Sequence, residues 1–155
     1  MGYPTSGTPI TWYIYFVTSP NAALSFWVHG PQDADAPGYY LHLEPREVFM
    51  GAGLWRPSAD ALRAIRQSIV RDPQGWKRVK RSGLSTGEPA LKRPPRGFAP
   101  DHPLVEDLKQ TSFTVHEEFT ERQACSPGFP ALFVRACRRE APLMRFLARA
   151  VGLAF

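Results

Sequence analysis

An α+β fold, with an antiparallel sheet from the N-terminal half packed against helices from the C-terminal half, is predicted by three features of this sequence. Aromatic and β-branched residues crowd into short runs up to Leu54, separated by Pro, Gly and Asn clusters. From Ser58 the apolar period lengthens from two to about 3.6. Strands come first and helices later, without the strand-helix-strand alternation that builds a parallel sheet. With 155 residues, 43% of them hydrophobic, the chain is long enough for one core without staples, so a single domain over residues 1–155 is expected.

Strands are predicted near Ile10 to Thr18, Ala23 to His29, Tyr39 to Glu44 and Val48 to Leu54, the last two joined as a hairpin through Pro45-Arg46-Glu47. Between the second and third lies a loop, Gly30 to Gly38, with two acids, Asp33 and Asp35. Leu62, Ile65, Ile69 and Val70 then share one helix face behind a Ser58 cap. That helix stops at Asp72-Pro73, where Asp72 caps a shorter one carrying Trp76 and Val79. Ser82 to Pro100 is too rich in Pro and Gly for a periodic element. Pro103 reads as the first residue of the next helix, with Leu104, Val105 and Leu108 inward, followed by a strand from Ser112 to Phe119. Thr120 to Gln123 has the form of a capping box. Ser126-Pro127 opens one helix, and Leu143, Phe146, Leu147, Ala150 and Val151 mark a last one closed by Gly152.

Two cysteines, Cys125 and Cys137, give neither a disulfide framework nor a Cys-rich zinc site, which points to a reducing compartment such as the cytoplasm. The apolar run from Ile10 to Val28 is broken by Thr18-Ser19-Pro20-Asn21, so it reads as two strands and a turn, not as a membrane span. No basic segment precedes it, against a signal peptide. Nor does any charge precede Asp33, so an exposed edge in this region favours a homodimer through the apolar N-terminal strands.

The formal charge is +5, and Lys77, Arg78, Lys80, Arg81, Lys92, Arg93 and Arg96 carry most of the excess. The segment from Lys77 to Arg96 suits nucleic acid or a small anion, or forms a solvated face. Within it, Lys92, Arg93 and Arg96 combine cationic donors with rigid prolines and Gly97, a pattern fit for a carboxylate or phosphate. Asp101 and His102 follow at a helix start, where Asp101 caps amides and a neutral His102 serves as base or ligand. Gly83-Leu84-Ser85-Thr86-Gly87 has the Gly-x-Ser-x-Gly form, with Asp101 and His102 in hydrolase order, although no strand precedes Ser85 as a nucleophile elbow requires.

Period two places Tyr40, His42 and Glu44 on one strand face, and His116 and Glu118 repeat the pattern. Were those strands neighbours, His42, Glu44, His116 and Glu118 would offer a divalent metal, calcium or zinc, two imidazoles and two carboxylates to activate water. Trp12, Trp27, Trp55 and Trp76 suit a stacking platform, but alternation assigns most of the aromatic residues to a core.

Four segments carry a resemblance: Gly38-Tyr39-Tyr40-Leu41-His42-Leu43-Glu44-Pro45, Gly51-Ala52-Gly53-Leu54-Trp55-Arg56-Pro57, Leu91-Lys92-Arg93-Pro94-Pro95-Arg96-Gly97-Phe98 and Asp101-His102-Pro103-Leu104. With Leu108-Lys109, Ser112-Phe113 and the closing Ala141 to Leu147, they resemble the bacterial domain of unknown function 2461 from Pro37 onward. Members carry a further N-terminal helical region and a Lys-Thr-Pro-Tyr-Lys-like stretch, of which only Thr8-Pro9 is an echo here, so the N-terminal portion is expected to be missing or rearranged. The resemblance implies no activity. The expectation is a soluble α+β domain with an anion or small-ligand pocket around the Lys92 to Gly97 loop. The competing expectations are a hydrolase acting on an ester or lactone, through a metal or Ser85, and nucleic-acid binding through the basic segment.

Overall fold

The computed structural model describes residues 11–15, 22–27, 35–81 and 91–154, the first two segments as backbone apart from Ser25. Among these residues the strands are β1 (Thr11–Tyr15), β2 (Ala22–Trp27), β3 (Gly38–Glu44), β4 (Glu47–Leu54) and β5 (Phe113–Phe119). They pair antiparallel in the order β1-β2-β3-β4-β5, so the expected α+β arrangement is present. Strict alternation explains why: in β4, Val48, Met50, Ala52 and Leu54 are buried while the residues between them are not.

The β3–β4 turn is one residue tighter than the sequence suggested. Glu44 pairs directly with Glu47, leaving Pro45-Arg46 as the turn, and Arg46 adopts the left-handed conformation (φ 71°) of a turn's third position. Gly53 (φ 131°) is needed for a different reason: a Cβ there would lie 2.0 Å from the carbonyl oxygen of Phe113 on β5.

Helices α1 (Ala59–Arg71), α2 (Pro73–Lys80), α3 (Val105–Leu108), α4 (Glu121–Ala124) and α5 (Phe129–Ala150) follow. Ser58 caps α1 by accepting from the Ala61 amide, and Asp72 caps α2 by accepting from Gly75 at 2.8 Å. Thr120 and Gln123 form the full capping box of α4. Two expectations are corrected. Pro103 does not begin a helix, because the first turn of α3 starts two residues later, at Val105. The two helices read after Ser126 are one, running through Pro142. An interior proline costs roughly 3 kcal/mol. Burying Leu143, Met144 and Leu147 completely returns about 1.5–3 kcal/mol apiece, which outweighs that cost.

Helix α5 packs on β4 of the sheet and α1 and α2 pack against α5, and Leu41, Met50, Leu54, Ile65, Trp76, Phe113 and Leu147 belong to one core cluster. Trp76 is fully buried, edge-on to Phe113 at 5.6 Å, which settles its role as packing. No described helix is long and apolar enough to cross a membrane.

Candidate functional site

The face of β3, β4 and β5 turned away from the core carries Tyr40, His42, Glu44, Phe49, Gly51, His116 and Glu118, as the register dictates. Tyr40 Oη lies 3.0 Å from His42 Nδ1, and His42 Nε2 lies 3.0 Å from a Glu44 carboxylate oxygen. With a neutral imidazole this chain has one natural polarity: Nε2–H donates to Glu44, and the Tyr40 hydroxyl donates to Nδ1. Burial, and then the nearby Glu47 carboxylate, push the Tyr40 phenol above its ordinary range. Tyr40 therefore rests protonated, with an imidazole placed to take that proton.

The two imidazoles are on one face, but β4 runs between their strands. Phe49 of β4 fills the gap, stacking on His42 at 4.9 Å and on His116 at 4.5 Å. His116 is 3.7 Å from Glu118, both exposed at the far end of this stack. A third acidic group approaches His42 instead: potential ligand atoms of His42, Glu44 and Glu47 all lie within 4.8 Å of one another. The three-residue turn expected from the sequence would include Glu47, and only the two-residue turn brings it opposite Glu44.

Beside the stack lies a groove of about 600 Å³. Tyr40, Phe49, Thr114 and His116 wall it, Gly51 and Gly53 leave its floor without side chains, and Trp55, 60% exposed, stands at its edge. An apolar concavity with a few convergent polar groups is the usual form of a small-ligand site.

The remaining candidates are scattered. Lys92 and Arg93 are exposed. Arg96 lines a separate cleft of about 370 Å³ together with Asp60, Arg63 and Arg66 of α1, Pro95 and Phe98. His102 is half-buried and its Nδ1 accepts from the Leu104 amide at 3.1 Å, but α3 has no side-chain cap, so the exposed Asp101 does not cap it. Ser85, with the whole Gly83 to Gly87 segment and Asp33, lies outside the described residues.

The model of the conserved hypothetical protein family DUF2461 matches residues 19–146. The chain belongs to that family. The match reaches further towards the N-terminus than the resemblance from Pro37, taking in β2 of this DUF2461 member along with the later strands and helices. Neither a curated protein nor a solved structure matches it.

Proposed function

We propose that this DUF2461 member binds a small organic molecule in the glycine-floored groove and handles a proton of that molecule through Tyr40. The observation that carries the reading is the hydrogen-bonded chain from Tyr40 through His42 to Glu44, at 3.0 Å in each link, ending at the groove wall. In such a chain the carboxylate orients the imidazole, and the imidazole takes or returns the hydroxyl proton as charge develops on the ligand. Hydrolysis of an ester or lactone is a reaction class this arrangement suits.

Purified protein is assayed on a panel of activated esters and lactones, with and without chelator. Turnover is expected, insensitive to chelator and falling at least about 100-fold in Tyr40→Phe, the scale of a lost acid–base group. Turnover that survives Tyr40→Phe but vanishes in Ser85→Ala or with chelator sinks the proton chain as the catalyst. Absence of turnover, with a ligand that stabilises wild type and Tyr40→Phe equally, reduces the groove to a binding site.

A second reading, an anion accepted by the loop carrying Lys92, Arg93 and Arg96, is favoured by one observation: Arg96 shares a cleft with two arginines of α1.

A further inference from the structure

Arg66 is an unusual residue to find on the inward stripe of α1. It is 8% exposed, and burial lowers its pKa from the ordinary guanidinium range. Its Nε donates to the carbonyl of Leu108 at 2.8 Å and an Nη donates to that of Gln110 at 2.9 Å. These bonds satisfy donors and tie α1 to the end of α3, but carbonyls do not neutralise charge. Among the described residues no carboxylate lies within ion-pair distance of Arg66. A buried guanidinium without a counter-charge is costly, and native structures usually pair such a group.

The same cleft brings Arg63 and Arg96 to Arg66, and neither makes an ion pair with a described residue. Against three guanidinium groups stands one carboxylate, Asp60, so the lining is net positive. Phe98, half-buried, and Pro95 give the cleft an apolar wall. None of its lining residues belongs to the groove on the sheet.

We infer that this cleft is an oxyanion site for a small phosphorylated or carboxylated molecule, with Arg66 at its base and Arg63 and Arg96 as the arms that close on it. The inference builds on the anion-accepting reading of the loop and moves its centre from Lys92 and Arg93 to α1. Planar forks matching two oxygens at once are what arginine offers and lysine does not. The apolar wall accommodates an organic body attached to the anion.

The test is titration calorimetry of the whole chain with inorganic phosphate, phenyl phosphate and benzoate. Arg63→Ala and Arg96→Ala are the variants, because removing Arg66 would also sever the tie between α1 and α3. Saturable binding is expected, tighter for phenyl phosphate than for inorganic phosphate if the apolar wall is used, and weakened at least about 10-fold by either variant. Arg96→Lys should recover little, since it keeps charge but loses the fork. Binding that is lost in Lys92→Ala or Arg93→Ala but unchanged in Arg63→Ala overturns the α1 site while leaving the loop reading intact. No saturable binding to any of the three probes overturns both. A preference for an oligonucleotide, steep in salt and abolished by Lys77 and Lys80 variants, also overturns it.

Discussion

At the scale of single residues, the buried polar groups of α5 and β3 carry the clearest physical signature. The Tyr39 hydroxyl donates to the Cys137 carbonyl at 3.0 Å, and burial pushes the phenol well above its ordinary 10.0, with Cys137 and Glu140 adding to the effect and Arg145 opposing it. The Cys137 thiol is pushed up to about 12, again chiefly by burial. Both groups are thus more strongly protonated folded than unfolded. Their contribution is complete below the unfolded pKa values and is lost as pH rises from there towards the folded ones. Stability measured by urea denaturation is therefore expected to hold to about pH 9 and to fall above it. In Tyr39→Phe the fall above about pH 10 should be shallower by one proton, on a stability lowered by about 1 kcal/mol for the lost hydrogen bond. An unchanged slope would show that burial of Tyr39 is not its source.

The elements were legible where the signal is local. Ser58, Asp72 and the Thr120/Gln123 pair cap the helices they were read to cap, because a side chain reaching its own helix's free amides depends on nothing distant. Tyr40, His42 and Glu44 fall on one face for the same reason, a period of two. What lay beyond the sequence depends on which strand neighbours which. Phe49 stands between the imidazoles because β4 pairs with both β3 and β5, and Glu47 joins the cluster through a turn one residue shorter than expected. Arg66 was missed because an inward helical stripe is read for apolar residues, and its carbonyl partners are more than forty positions away. The helix opened by Ser126-Pro127 and the one marked by Leu143 to Val151 are a single element because the burial that carries α5 through Pro142 is not a local signal. The most exacting junction is Asp72, which ends α1 and caps α2 while Gly75 leaves room for its carboxylate, a Cβ there falling 2.0 Å from an oxygen. Asp72→Ala should lower the urea midpoint by the equivalent of about 1 kcal/mol with an unchanged slope. A variant as stable as wild type would show the cap to be dispensable.

For the molecule as a whole, among the described residues β1 stands at one edge of the sheet and β5 at the other. Thr11–Tyr15 contains neither charge nor proline, the usual guards of an edge. On that ground the chain is expected to sediment as a dimer, with Tyr13→Lys, a charge in the middle of the edge strand, shifting it to monomer. A wild-type monomer at micromolar concentration would rule out pairing through this edge.

The strand order also has a temporal side. From β1 to β4 each strand pairs with its immediate successor in the chain, so those hairpins close short loops. Between β4 and β5 residues 55–112 intervene, with α1, α2 and α3 among them. Closing so long a loop costs more entropy, and topology of this kind delays a contact on the folding pathway. Trp76 of α2 must also meet Phe113 of β5, which couples that closure to the docking of the helices. We expect β5 to be the last strand to pair. It brings His116 and Thr114 to the groove, so a newly made chain holds Tyr40, His42 and Glu44 in line before it has a place for anything to bind.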